Sequence, residues 1–278
     1  MVDSHVEARV DGHVASLILS NPPRHTINAR GSQQLFEHLE ALSRDDSVRV
    51  VVLTGSSEDI FVRHYEVDEL ADSSERIQDR RPQRAPVDNS RGTTRAAGGL
   101  RGAMNLLESM KQITVAAING MAHGGGLELA LACDFRLARA GRFTLGLPET
   151  GVGILPGGGG TQRLTRIVGI AQALDLVLHG TIFESRRALE MGIVHRVFPN
   201  PIGEYRAAVS EFAENLAHRA PIALAKAKQA IREGMEMSLS DGLRREAELF
   251  AELMATQDAA RALRAVSKGK PIPRFKGE

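Results

Sequence analysis

The sequence carries a single cysteine, Cys133, so an internal disulfide is excluded. Its setting among Leu and Ala predicts a buried thiol, and such sparse cysteine use fits a reducing, cytoplasmic compartment. No sign of charge prevails. Thirty-five Lys and Arg face 34 Asp and Glu, a formal net charge of +1. That balance offers no global field for a nucleic acid or an anionic membrane, so neither is expected as a partner. No apolar run approaches the roughly 20 residues that span a bilayer. The opening "MVDSHVEARVDGHV" has no apolar core of signal-peptide length. There is no HExxH, no Cys/His cluster at ligand spacing, no Gly-Lys-Ser/Thr after a glycine loop, and no GxGxxG at a suitable strand end. The expectation is therefore no metal and no P-loop nucleotide site. The nine histidines are scattered, and His179 and His195 read as structural or surface residues.

What is present is an ordinary globular composition, 42% apolar and 25% charged, over 278 residues. "HVEARV" and "VASLILS" flank Asp11-Gly12, a hairpin signal. "NPPRHTIN" is rich in turn formers. "SQQLFEHLEALSRD" carries Leu35, Leu39 and Leu42 at helical spacing. "VRVVVLTG" and "ITVAAI" read as buried strands, with the helix "GAMNLLESM" ahead of the second. "DFRLAR" and "RFTLG" read as short strands, and "TQRLTRIVG" opens a run of helices. Residues 72–96 are polar and Arg-rich, a candidate flexible segment. From 203 onward the pattern is almost wholly helical, with Pro221 placed as a helix start. This is α/β with a helical C-terminal region.

The chemistry concentrates in "NGMAHGGGLELALACDFRLA", residues 119–138. Gly124, Gly125 and Gly126 let the backbone bring N–H groups against a ligand, and the helix behind them adds its positive end. Together these suit a developing negative charge. A tight strand-to-helix turn accounts for the glycines equally well. Glu128 then stands in the first turn of a helix otherwise lined with Leu and Ala. The helix dipole alone can favour an acid there, yet burying one is costly and raises its pKa. A second acid, Glu149, follows Pro148 in a glycine-rich loop with few other charges. Two carboxylates beside such a glycine turn suggest acid/base work on a carbonyl compound.

"AAINGMAHGGGLELALACDFRLA" followed by "FTLGLPETGVGILPGGGGTQRLTRIVG" closely resembles the signature of the enoyl-CoA hydratase/isomerase (crotonase) family. "NPPRHTIN", "VRVVVLTG" before "DIFVRHYEVDEL", and the tail "PRFKGE" keep the order of that family over nearly the whole chain. The resemblance implies a crotonase-type spiral of ββα units over residues 1–200. It also implies a helical oligomerisation region over 201–278, and a homotrimer or a hexamer built as a dimer of trimers. The implied substrate is an acyl-coenzyme A thioester, with coenzyme A part of the substrate and no separate cofactor. By motif position, the backbone N–H groups of Tyr65 and Gly125 hold the thioester oxygen, and Glu128 and Glu149 match the two acids of hydratases. Family isomerases often keep only the acid at the Glu149 position, so the pair favours hydration. The alternatives are double-bond isomerisation, decarboxylation or carbon–carbon cleavage on an acyl-CoA, or a non-catalytic, RNA-binding relative.

The chain departs from the family pattern in its first donor segment. Where that pattern resembles Ser-Ala-Gly-Ala-Asp, this chain has Val62, Arg63, His64, Tyr65 and Glu66. His64 in a glycine position would be strained if φ there were positive. The imidazole and phenol either reshape the acyl pocket or turn outward. Asp68 stands where hydratases often have a lysine near the coenzyme. The remaining substrate-binding expectations are Arg24, His25, Gly124, Phe275 and Lys276. Arg76, Arg80, Arg81, Arg84, Arg91, Arg95 and Arg101 could form a lid gripping coenzyme phosphates or a solvated loop.

Overall fold

The computed structural model describes residues 5–79 and 98–278. Arg80, Arg81, Arg84, Arg91 and Arg95, and with them most of the arginine-rich segment, lie outside the described residues.

The hairpin signal forms as read. β1 (Val6–Asp11) pairs antiparallel with β2 (Val14–Leu19), Asp11 opposite Val14. β3 (Val50–Gly55), β5 (Ile113–Ile118), β7 (Phe135–Arg139) and β10 (Arg196–Phe198) continue the sheet in parallel, in the order β1-β2-β3-β5-β7-β10. A smaller sheet takes β4 (Ile60–Val62), β6 (Met121–His123), β8 (Thr144–Gly146) and β9 (Ile182–Glu184), in that order. Each passage through the chain thus lays one strand in the large sheet and the next in the small one: β3 then β4, β5 then β6, β7 then β8. That is the ββα spiral, and its repeat lies in geometry rather than in residue identity.

The strand residues that read as continuous apolar runs are buried on both faces. Val51, Leu53, Ala116 and Ile118 point into the principal core, under α1 (Ala29–Ser43), α3 (Gly99–Ser109) and α4 (Gly125–Ala132). Their neighbours Val50, Val52, Val115 and Ala117 face the other way. There α8 (Ile202–Ala217) covers them with Tyr205, Val209, Ala213 and Ala217, and the Tyr205 hydroxyl donates to Leu137 O at 2.9 Å. Leu35, Leu39 and Leu42 form the buried stripe of α1, whose start is capped by the Asn28 side chain accepting from Gly31 N. Cys133 is buried, which pushes its thiol up to about 12.

One expectation changes here. α2 (Val67–Asp79) takes up the first part of the segment 72–96 that reads as flexible. None of its residues is buried, and Val67, Leu70 and Ile77, though at helical spacing, stand exposed. The chain continues through α5 (Gly160–Val168), α6 (Ile170–Leu178) and α7 (Ser185–Glu190). After α8 come α9 (Pro221–Gly234), α10 (Leu239–Met254) and α11 (Gln257–Ser267), with Pro221 at the start of α9 as expected. No helix among the described residues is long and apolar enough to cross a membrane.

Candidate active site

The site is built where β4 and β6 end and α4 begins. Gly124 turns the chain between β6 and α4 with φ 49°, a left-handed conformation that a side chain resists. At Gly126 the helix presses so closely on β4 that a Cβ would lie 2.1 Å from Val62 O. This close approach brings the helix start against the strand end that carries Tyr65.

Tyr65 pairs with Ile27 in an isolated parallel bridge. Ile27 N donates to His64 O at 3.0 Å, and Glu66 N donates to Ile27 O at 2.8 Å. In a parallel ladder this pattern turns the N–H of Tyr65 away from Ile27. On that side lies Gly125, where a Cβ would sit 3.4 Å from Tyr65 N. Neither Tyr65 N nor Gly125 N has a protein acceptor among the described residues. For Gly125 this follows from its place at the open end of α4. Two free main-chain donors therefore stand side by side on a helix start, an arrangement suited to an oxyanion.

The two acids flank this point. Glu128 is 3% exposed, and its Oε1 accepts from Gly158 N at 2.8 Å and Gly160 N at 2.7 Å. Burial pushes its pKa up, while those two N–H groups and the charges of Arg163 and Arg101 pull against the rise. Glu149 lies across Gly124, its Oε1 3.1 Å from where a Gly124 Cβ would be. Its Oε2 is buried with no hydrogen-bond partner among the described residues. Burial pushes Glu149 up to about 7, and the charge of Glu128 adds to the rise. The two carboxylates thus sense one another, and at neutral pH Glu149 is largely part-protonated.

The side chains of the unusual segment are held away from the donors. The Tyr65 hydroxyl donates to Glu69 Oε2 at 2.8 Å, and burial with that bond pushes the phenol up to about 12. Glu69 Oε2 also accepts from Ala29 N at 2.8 Å, tying α2 to the start of α1. His64 does not adopt a positive φ, so the strain expected there is absent. The non-glycine residue in that region is His25, with φ 52°. His64 Nδ1 lies 2.7 Å from Tyr65 O, and its Cβ flanks Gly124 beside Glu149.

Arg24 is exposed and donates through Nη1 to Glu66 Oε1 at 2.8 Å and Asp68 Oδ2 at 2.6 Å. Phe275 and Lys276 are held elsewhere. Phe275 O accepts from Arg49 Nη2, and Asp258 accepts from Lys276 N. The Phe275 ring lines an apolar cavity of about 290 Å³ with Ile222, Phe250, Leu253 and Leu263. The structure thus brings together Tyr65, Gly124, Gly125, Glu128, Glu149 and His64, and does not bring Phe275 or Lys276 to them within one chain. Sequence reasoning passed over Gly158, Gly160 and Glu69. The signal for the first two was present, since "PGGGG" is backbone that can approach a buried acid. Among the described residues no group of three or more His, Cys, Asp or Glu could hold a metal ion.

Comparison with known proteins agrees with this geometry. The family model described as enoyl-CoA hydratase/isomerase matches residues 9–277. The chain is 36% identical over 269 residues to the 2,3-dehydroadipyl-CoA hydratase of Escherichia coli (strain K12), covering 95% of each. It is 33% identical over 277 residues to the mitochondrial methylglutaconyl-CoA hydratase of Rattus norvegicus, covering 99% of this chain and 82% of that protein. The crystal structure of an enoyl-CoA hydratase from Bacillus anthracis superposes with a TM-score of 0.85 at 31% identity, covering 99% of this chain and all of that one.

Proposed function

The chain belongs to the enoyl-CoA hydratase/isomerase family, and from that premise we propose that it hydrates the 2,3 double bond of an acyl-CoA thioester. The observation that carries the reading is the pair of unequal acids flanking two free main-chain donors. Tyr65 N–H and Gly125 N–H polarise the thioester oxygen and take the negative charge of the enolate. Glu128, anchored by two N–H bonds, orients a water and accepts its proton as the oxygen bonds to Cβ. The π electrons move to the thioester oxygen. Glu149, still partly protonated near neutral pH, delivers a proton to Cα as the enolate collapses. One water is consumed, and the proton gained by Glu128 replaces the one lost by Glu149 through solvent. No redox step is involved.

Gly124 shapes the floor between the acids, and His64 borders the acyl pocket. Arg24 and His25, in the turn before α1, are proposed coenzyme contacts. Phe275 and Lys276 reach a coenzyme only across a subunit boundary. The proposed assembly is a homotrimer or a dimer of trimers. Exposed Leu239, Leu243, Phe250, Leu263 and Val266 on the C-terminal helices support it, as surface that a neighbouring subunit would cover.

The test is a turnover screen by mass spectrometry on crotonyl-CoA, 2,3-dehydroadipyl-CoA and methylglutaconyl-CoA. A mass gain of one water marks hydration. Glu128→Gln and Glu149→Gln should each lower kcat by about 10²–10⁴-fold. Full turnover in either variant defeats the acid-pair mechanism, and loss in Glu149→Gln alone points to isomerisation.

A further inference from the structure

We infer that Arg163, clamped by Glu108, is a positioning residue that holds the Gly158–Gly160 loop against Glu128 and links that acid to the C-terminal helix α9. The inference rests on the reading of Glu128 as the proton acceptor.

Gly158 is gripped from both sides. Its N–H donates to Glu128 Oε1 at 2.8 Å, and its carbonyl accepts from Arg163 Nη1 at 2.7 Å. A peptide fixed at both ends has little freedom to turn its N–H away from the acid. Arg163 is fixed in turn. Its Nε donates to Glu108 Oε1 at 2.9 Å and its Nη2 to Glu108 Oε2 at 2.7 Å, a two-point pairing that only a guanidinium makes. The loop packs closely on both groups: a Cβ on Gly158 would lie 2.6 Å from Glu128 Oε2, and one on Gly159 2.4 Å from Arg163 Nη1.

The chain of charges continues past Glu108. Arg232 of α9 pairs with Glu108 at 3.2 Å and with Asp134 at 2.8 Å, and buried Lys228 pairs with Asp134 at 2.8 Å. Three cations meet two acids in these ion pairs, and buried Arg136 adds positive charge beside Asp134. The charge of Arg163 also favours the anionic form of Glu128. The charged groups bearing on Glu128 are Arg163 from α5, Arg101 from α3 and Glu149 across the site. Of the strands packed on α4, β4 and β5 carry no ionisable side chain, and β6 carries only His123, whose Nε2 bonds to Thr144 Oγ1 at 2.9 Å.

This arrangement makes opposite predictions for the two halves of the clamp. In Arg163→Gln, Glu128 loses a positive neighbour and its anionic form is harder to keep. The acidic limb of the kcat–pH profile then moves to higher pH. In Glu108→Gln, Arg163 is left without its countercharge, the anionic form of Glu128 is easier to keep, and the limb moves to lower pH. Both variants lower kcat by about 10- to 100-fold, because both loosen the loop. KM changes by less than about threefold, since no substrate contact is removed. Arg163→Lys keeps the charge but not the two-point pairing, so its limb stays near wild type while kcat still falls. A role confined to folding would lower stability in all three and move no limb.

The experiment pairs these profiles with ¹³C NMR titration of Glu128 in glutamate-labelled full-length protein. Opposite displacements of the Glu128 midpoint in Arg163→Gln and Glu108→Gln support the inference. Unmoved midpoints, or displacements of the same sign, overturn it. If Arg163→Gln does not fold, the direction in Glu108→Gln decides alone. The NMR midpoint needs no turnover, so a failed hydratase reading, seen as full activity in Glu128→Gln, is distinguishable from a failed clamp.

Discussion

Glu149→Gln should make the protein more stable at pH 9 relative to wild type than it does at pH 4. Glu149 is half-buried, its Oε2 has no hydrogen-bond partner among the described residues, and its pKa rises from the ordinary 4.5 to about 7. The folded value lies above the unfolded one. Below pH 4.5 both states are protonated and the acid makes no difference. Between 4.5 and 7 the unfolded chain ionises while the native site keeps its proton, so stability falls as pH rises. Above 7 the whole penalty is in force. A rise of that size corresponds to about 3.4 kcal/mol for a fully buried group, and screening at this half-buried position leaves about 2 kcal/mol. Glutamine keeps the shape without the charge. Glu128 is present in both proteins and cancels to first order. Urea unfolding of wild type and Glu149→Gln at pH 4, 7 and 9 measures the difference directly. The variant's advantage should grow by about 2 kcal/mol across that range, or roughly 4 °C in Tm. A stability difference that stays flat with pH refutes the claim that the fold holds this acid against its preference for charge.

Gly124→Ala introduces a Cβ at φ 49° and 3.1 Å from Glu149 Oε1. It should cost about 1–3 kcal/mol in urea unfolding and lower kcat by about tenfold as the carboxylate is displaced. Tyr65→Phe removes only the O–H to Glu69. It should cost about 1 kcal/mol and leave kcat/KM within about threefold, because the main-chain donor remains. A 100-fold loss in a steady-state assay would give the phenol a chemical role. Lys228→Met removes a buried ammonium that donates to Leu107 O and Gln112 O and pairs with Asp134. Thermal and urea unfolding should register a loss of about 3–5 kcal/mol, since Asp134 is left short of countercharge.

The α/β alternation, the hairpin, the Leu35-Leu39-Leu42 helix and the paired acids were legible because each rests on local signals. Periodicity of 2 or 3.6, a turn glycine, or an acid in an apolar frame can be read within a few residues. What stayed hidden depends on distant partners. The phenol of Tyr65 was legible only as a bulky group near a donor, since its direction is set by Glu69 on the next helix. The Glu108-Arg163 pairing spans 55 residues, and neither residue sits in an unusual local pattern. α2 was missed because it buries nothing and its few apolar residues, Val67, Leu70 and Ile77, stand exposed among charged ones. His64, which would be strained only at a positive φ, does not take one, and among the described non-glycine residues His25 does.

The division of labour proposed for the acids rests on how each is held rather than on where it stands in the sequence. Burial raises both. Glu128 is given more means to resist: two N–H donors from the Gly158–Gly160 loop and two arginines beyond it, against a main-chain hydrogen bond at Glu149 itself. One Glu149 oxygen is buried with no hydrogen-bond partner among the described residues, and its neighbour Glu128 works against its ionisation. Near neutral pH Glu149, pushed up to about 7, is the acid that the proposed mechanism asks to hold a proton, and Glu128 the one it asks to accept one. A hydration needs that distribution at the outset, with a base ready for water and an acid ready for Cα. The reverse reaction needs the opposite one, reached after the first turnover leaves Glu128 protonated. A pair both strongly ionised would lack the acid, and a pair both neutral would lack the base.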